Sequence, residues 1–374
     1  MSLLDVHRSL VADHAGQEAF RRAIEAVVSP GDVVLDLGTG SGLHAGFACR
    51  AGARRVYAID REPIVELARQ IWRASGCADR IVGIQALIDD VELPEPVDVV
   101  VANLGVDDLF ALVPRAARRF LKAWGRVVPS AVTFFAAPVE CGDLRARCLD
   151  VWRPCYGLDL TPGRTVAANT VHDWRLEPEH LLAPGTCLGE FATTDPAVRL
   201  ASRHRVAVTR SGRVDGIATW MIERLAGDIV VSTEPPTDLP LELWPNAFYP
   251  VEPPLSVEGG DTIEMAIDTG GGQWGNVWRW EVVHRRAGED LARAAHSTFV
   301  AELMSREALR RQAPDHAPRL TPRGRARLSV LELADGGRTV DAIEREAHRR
   351  HADLFASAED AAVFVAEVLA RYSD

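Results

Sequence analysis

The segment Val34-Leu35-Asp36-Leu37-Gly38-Thr39-Gly40-Ser41-Gly42 constrains the fold more than any other part of the 374-residue chain. It leaves a short apolar run and enters a helical stretch. Glycine at every second position lets the backbone turn tightly and approach a ligand closely. The spacing is G-x-G-x-G behind an acidic residue, not the G-x-G-x-x-G that seats a pyrophosphate. A carboxylate inside the motif, Asp36, repels phosphates but accepts hydrogen bonds from an ammonium group, which favours S-adenosylmethionine over NAD. Gly38, Thr39, Gly40 and Gly42 form the cradle. Asp60 ends the next apolar run, where an acidic residue can grip both ribose hydroxyls. Ile88-Asp89 follows the third run and is placed to accept from an adenine amino group.

The surrounding pattern agrees. Val33–Leu37, Val56–Ile59, Ile81–Ile84 and Val97–Val101 are near-continuous apolar runs, with helical stretches at 43–51, 62–75 and 108–123. Such runs separated by helices predict a parallel sheet covered on both faces, a Rossmann-like α/β domain over residues 1–135. Residues 136–290 read as an antiparallel barrel or sandwich. Strand-like runs occur at Arg205–Thr209, Gly216–Ile222, Ile229–Ser232, Thr262–Ile267 and Val277–His284, with Gly and Pro turns between them. Residues 145–182 carry few strand signals and are expected to project as an arm. Residues 291–318 read as a helix plus linker. Residues 319–374 form a small helical module: Thr321 caps a helix with Pro322 in its first turn, Asp335-Gly336-Gly337 ends it, and Thr339 caps a second. The third carries Ala361, Phe364, Val365, Val368, Leu369 and Tyr372 as a buried stripe. Three short helices in this length suggest a winged-helix module.

Composition narrows the function classes. With 47% apolar and 25% charged residues the chain is globular, not disordered or collagen-like. A net charge of −11 disfavours indiscriminate nucleic-acid binding. No transmembrane stretch and no basic-then-apolar signal is evident, so a cytoplasmic location is expected. The six cysteines make no C-x-x-C pair and are expected to be reduced and buried. His348 and His351 lack companion ligands, so no metal is expected.

Residues Val34–Asp60 and Ile88–Gly105 resemble the first motifs and the active-site approach of the protein arginine methyltransferases. The likeness runs over roughly residues 5–290. It implies a methyltransferase domain, a β-barrel and a dimerisation arm, part of which Cys155–Asp159 resembles, and hence a homodimer. By the same resemblance His7 falls near the cofactor. The departures are specific. The family's two guanidinium-gripping glutamates fall at Asn103 and near Ala111 or Leu112. Its Thr-His-Trp loop reads Glu242-Leu243-Trp244. Its carboxylate-binding arginine falls at Gly16, leaving Arg61 or a backbone amide as substitute.

A guanidinium is planar, stays protonated to pH values above about 12, and is recognised by paired carboxylates. An α-amino-like group has a pKa of about 7.7–8, loses its proton cheaply, and needs orientation plus one acceptor. Asn103, Asp107, Asp108 and Trp244 are the candidates for that work. Asn103 would accept through its carbonyl, an aspartate would take the proton or hold the cation, and Trp244 would wall the transfer site. For Asp107 and Asp108 helix capping is an equally good reading, and for Trp244 barrel packing.

Leu333–Ile343 resembles the PqqD-like modules that read the leader of ribosomally made peptides, which implies a precursor-peptide partner. Arg319, Arg323, Arg325 and Arg327 cluster there. Residues 300–374 nonetheless balance twelve arginines against thirteen carboxylates, a poor lone DNA binder. The expectation is a SAM-dependent N-methyltransferase acting on a peptide amine, of the daptide type, whose peptides end in a dimethylated amine. Two alternatives stand beside it: an arginine or small-molecule methyltransferase using Asp107 and Asp108, and a non-catalytic cofactor- or peptide-binding adaptor.

Overall fold

The structure, a computed structural model, describes residues 3–196, 198–270, 277–311 and 313–373. The chain divides into two compact units, Met1–Glu302 and Leu303–Asp374.

The first unit opens with α1 (Leu3–Ala12) and α2 (His14–Val27). There follow β1 (Val33–Leu37), α3 (Leu43–Arg50), β2 (Arg55–Asp60), α4 (Val65–Ala74), β3 (Ile81–Gln85), β4 (Val97–Val101), α5 (Val106–Phe120) and β5 (Leu121–Val128). The strands form a parallel sheet in the order β3-β2-β1-β4-β5. All five residues of β1 are buried because both sheet faces are covered. Phe20, Ile24, Ala45, Ala48, Ala68 and Trp72 of α2–α4 pack on one face, and Leu109, Val113, Ala116 and Phe120 of α5 on the other. The strand order reverses between β1 and β4, so a crevice opens beyond their carboxyl ends, where ligands bind in such sheets.

The expected helix 108–123 is instead Val106–Phe120, and β5 follows without a loop. The strand was hidden in the sequence by an irregularity: Val97 pairs with Leu121 but Val99 with Arg126, so Lys122–Gly125 bulge out and break the alternation.

The second layer begins earlier than expected, at β6 (Ala131–Val139). It continues through α6 (Gly142–Arg145), a π-turn at Ala146–Asp150, α7 (Thr161–Ala168), β7 (His172–Trp174), β8 (Thr186–Ala192), β9 (Ala201–Ala207) and β10 (Gly212–Ala226). Next come β11 (Ile229–Ser232), β12 (Asn246–Val257), β13 (Thr262–Gly270), β14 (Val277–Arg286), β15 (Glu289–Ser297) and α8 (Thr298–Ala301). One antiparallel sheet runs β7-β12-β10-β6-β8 with β11 beside β10, and a second runs β15-β14-β13-β9. Ile217, Tyr249, Val251, Ile263, Met265, Trp280 and Val282 fill a core drawn from both.

Two boundaries change. The arm closes by residue 171, because β7 already pairs with β12. Leu291–Ser297, expected in a linker, belongs to β15. Ala287 and Gly288, both at positive φ, make the two-residue hairpin turn that returns it. As an edge strand with one neighbour it needs little apolar character, so its Ala/Arg-rich sequence read as non-strand.

The second unit contains α9 (Arg306–Arg311), α10 (Pro322–Leu333), α11 (Val340–Arg350) and α12 (Ala358–Tyr372). Thr321, Thr339 and Ser357 cap the last three, accepting from the amides of Gly324, Ala342 and Asp360. Ala326, Val330, Leu333, Ile343, Ala347, Phe364, Val365 and Val368 make its core. Tyr372, expected in the buried stripe, is exposed. Among the described residues of this unit no strand occurs, so α10–α12 form a three-helix bundle without the hairpin a winged helix requires.

Candidate functional site

The glycine loop is held open by its own sequence. Gly38, Gly40 and Gly42 have φ of 72°, 52° and 85°, which side-chain-bearing residues rarely adopt. A methyl group on Gly40 would lie 2.7 Å from the His7 ring, so α1 rests directly on the loop. Trp72 Nε1 donates to the Gly42 carbonyl at 2.9 Å and fixes its far end. Leu104, just past β4, covers Gly38.

Asp36 is buried beneath this loop. Its Oδ2 accepts from Thr39 Oγ1 (2.5 Å) and from the Ala45 amide (3.0 Å), tying β1 to the start of α3. Its Oδ1 is buried with no partner, and burial pushes the carboxyl up to about 7. Asp60 ends β2. Its Oδ2 accepts from the Gly40 amide (2.8 Å) and its Oδ1 from the Glu62 amide (2.9 Å), so the carboxylate is oriented against the loop. His7 Nδ1 is buried without a partner; burial holds the imidazole below its ordinary range, with Asp60 opposing. An unpaired buried acceptor beside glycines that admit no side chain fits a nucleoside carrying an ammonium group.

The other expected contacts lie around this loop and on α5. Asp89 lies in a single 3-10 turn, Ile88–Asp90, and its carboxylate is exposed and paired with Arg115 at 2.9 Å. Ile88 is buried, and its carbonyl accepts from Arg119 (2.6 Å). Arg61 points to solvent beside Glu62. Gly16 has a structural cause. Asp13 caps α2 by accepting from the Gly16 amide (3.0 Å), and a side chain at Gly16 would overlap that carboxylate. The other Asp13 oxygen accepts from Trp244 Nε1 at 2.8 Å. Trp244 is a buried core residue that ties α2 to the turn before β12.

Asn103 follows β4, and its buried Nδ2 has no partner. Asp107 and Asp108 lie exposed in the first turn of α5, whose N-cap, Gly105, offers no side chain. Ala111 and Leu112 supply no carboxylate on that helix. Three features escaped the sequence reading. Glu223, buried on β10 with Oε1 unpartnered, is pushed up to about 8 by burial; a charged residue at an apolar position of a strand pattern was the available signal. His44 bonds Gln17 at 3.0 Å, and burial pulls its imidazole down to about 4. Tyr249 is buried, and burial chiefly pushes its phenol up, with Thr219 opposing the shift and Asp107 and Asp173 adding to it.

Among the described residues, no group of three or more His, Cys, Asp or Glu side chains is placed to hold a metal ion, and no helix is long and apolar enough to cross a membrane. Cys49, Cys77 and Cys141 are buried free thiols, and Cys187 is exposed.

Residues 13–133 match a family model described as ribosomal protein L11 methyltransferase (PrmA), and residues 130–271 match the arginine methyltransferase oligomerization subdomain. A probable protein arginine N-methyltransferase 6 of Arabidopsis thaliana is 34% identical over 163 residues, 42% of this chain and 38% of that protein. The aligned segment thus spans about two fifths of the first such relatives. An arginine N(omega)-methyltransferase of Streptomyces achromogenes subsp. streptozoticus is 30% identical over 274 residues, 70% of this chain and 75% of that one. The fold is similar to a Trypanosoma brucei PRMT1 enzyme–prozyme heterotetrameric complex with AdoHcy, with a TM-score of 0.70, 17% identity, and coverage of 78% of this chain and 97% of that one. Arabidopsis thaliana protein arginine methyltransferase 10 gives 0.66 and 20%, with the same coverage.

Proposed function

The chain belongs to the arginine N-methyltransferase family, and on that premise we propose that it is an S-adenosylmethionine-dependent N-methyltransferase whose acceptor is an amine and not a guanidinium. What supports this reading is the acceptor side: by the family resemblance, Asn103 after β4 and Ala111 or Leu112 on α5 take the places of the two carboxylates that a guanidinium needs.

Gly38, Thr39, Gly40 and Gly42 would cradle the donor, with Asp60 on the ribose, His7 over the loop, and Ile88 and Asp89 toward the base. The unpartnered Asp36 Oδ1 is the acceptor for its ammonium. When bound, the donor supplies an electrophilic methyl group on a sulfonium. The chain's own residues have two tasks: to hold the amine in line, which supplies most of the rate of such a transfer, and to accept its proton. Asp107 and Asp108 are the acids available at the start of α5. Their carboxylates would hold the incoming ammonium and pass its proton to solvent as the amine is alkylated.

The finer reading is a peptide substrate, with the C-terminal bundle engaging the leader and the modified amine at the peptide's end, as in daptide-type pathways. Its support is a separately cored three-helix unit bearing Arg319, Arg323, Arg325 and Arg327. Arg323 and Arg327 pair with Glu367, and Arg325 bonds the Leu320 carbonyl, so that surface is less basic than its sequence. A leader contact would raise the effective concentration of a weakly held end group. The arm carries exposed Val151, Trp152, Tyr156 and Leu158, which suits a homodimer. A cytoplasmic setting suits the free thiols.

The second reading is arginine methylation through Asp107 and Asp108, favoured by the Streptomyces relative. The test is one incubation series with S-adenosylmethionine and free arginine, an arginine-containing peptide, or a peptide ending in a terminal diamine, read by mass. Methyl addition to the diamine peptide alone is expected; addition to the guanidino compounds alone would replace the amine reading with the second. Removal of residues 303–374 should slow reaction with a full-length precursor but not with a short leaderless amine at high concentration; equal slowing of both defeats the leader reading.

A further inference from the structure

Gly16 leaves no room for the arginine that the family resemblance would put there, because a side chain at that position runs into the Asp13 carboxylate capping α2. The next residue along α2 offers another donor. Gln17 is buried, with 8% of its surface exposed, and its Oε1 lies 3.0 Å from Nε2 of His44 on α3. His44 is buried against Phe20 and Phe47, with ring centres 4.9 and 6.0 Å away. Burial pulls the imidazole down to about 4, so it is neutral and carries one N–H. An amide oxygen only accepts, so that N–H sits on Nε2 and points at Gln17. The oxygen end of the amide is thereby held on His44, and the NH2 end is turned elsewhere. Among the described residues no hydrogen bond takes up that NH2, and the nitrogen is not sealed from solvent.

The same two helices bound the amino-acid end of the donor site. Ala45, the residue after His44, donates its amide to Asp36 Oδ2 at 3.0 Å. The other Asp36 oxygen is the unpartnered acceptor assigned above to the donor's ammonium. In an α-amino acid the ammonium and the carboxylate stand on one carbon, so a carboxylate must lie beside whatever Asp36 holds. Asp36 and Asp60 would repel it, and Arg61 is turned to solvent beside Glu62. We propose that the Gln17 NH2 receives the α-carboxylate of the methyl donor in place of an arginine, with His44 as the positioning residue that holds the amide's oxygen. A neutral amide gives a carboxylate one bond where a guanidinium fork gives two charge-assisted ones, so this contact is the weaker kind. The assignment rests on the donor lying on the glycine loop as proposed above.

The test compares S-adenosylhomocysteine with its decarboxylated form, S-adenosyl-3-thiopropylamine, which keeps the amine and lacks the carboxylate. Dissociation constants are measured by calorimetry for the full-length chain and for Gln17→Leu, Gln17→Glu and His44→Leu. Wild type should bind S-adenosylhomocysteine about tenfold or more tightly than the decarboxylated form, since a hydrogen bond to a charged group is worth that much. Gln17→Leu should erase the preference by weakening S-adenosylhomocysteine alone. Gln17→Glu keeps an acceptor for His44 and should erase it too, which decides the matter if the leucine variant does not fold. His44→Leu should shrink the preference; an unchanged one takes His44 out of the assignment. A preference that survives in the Gln17 variants, or is missing from the wild type, overturns the proposal. So does an equal weakening of both ligands, which marks a structural role. A wild type that binds neither ligand defeats the donor reading itself.

Discussion

Glu223 stands opposite Val132 on β6 and Val231 on β11, with about 2% of its surface exposed. Its Oε1 has no partner, and burial raises the carboxyl from 4.5 to about 8. A raised acid pKa means that the folded chain binds more protons than the unfolded one between those two values. Stability is therefore greatest below pH 4.5 as far as this group is concerned, and falls as pH rises toward 8. At 1.36 kcal/mol per pH unit, moving from pH 4.5 to 7 costs about 3 kcal/mol. Glu223→Gln keeps the shape and the unpaired polar atom but cannot ionise. The difference in urea unfolding free energy between variant and wild type should be near zero at pH 4.5 and grow to about 3 kcal/mol at pH 7 in favour of the variant. Tryptophan fluorescence reports it, because Trp220 lies on the same strand and Trp244 in the adjoining core. Parallel pH curves for the two proteins would refute the reasoning, by showing that Glu223 finds a partner or water when ionised.

Asp60→Ala removes the acceptor of the Gly40 and Glu62 amides as well as the ribose contact; S-adenosylhomocysteine affinity by calorimetry should fall at least about tenfold, and an unchanged value would remove Asp60 from the site. Asp36, pushed up to about 7, must ionise to receive an ammonium, so donor affinity should rise with pH up to about 7 and level off, while Asp36→Asn should show no such dependence. Trp244→Phe forfeits the bond to Asp13 and should lower unfolding stability by about 1–2 kcal/mol without changing KM for the acceptor; a raised KM would return Trp244 to the pocket.

The cofactor half of the molecule was legible because its physics is local. Alternating glycines at positive φ, buried apolar strands and an acid at the end of β2 each leave a mark within a few residues. The C-terminal helices were legible for the same reason, since Thr321 and Thr339 cap them as their spacing predicts. What was not legible depends on register or on edges. The bulge at Lys122–Gly125 concealed β5, and β15 needs no apolar face. The bond from Trp244 to Asp13 spans more than two hundred residues and leaves no local mark. The pairing of Asp89 with Arg115 likewise joins residues that no local pattern links.

The central claim is that the acceptor side has exchanged a grip on a forked cation for a grip on an amine, and restoring one carboxylate tests it most directly. The quantity is the ratio of kcat/KM for the diamine-ended peptide to that for free arginine, in wild type and in Asn103→Glu. The account predicts a ratio well above one in the wild type that falls at least about tenfold in the variant. A wild-type ratio below one, or a ratio that Asn103→Glu leaves in place, would contradict it.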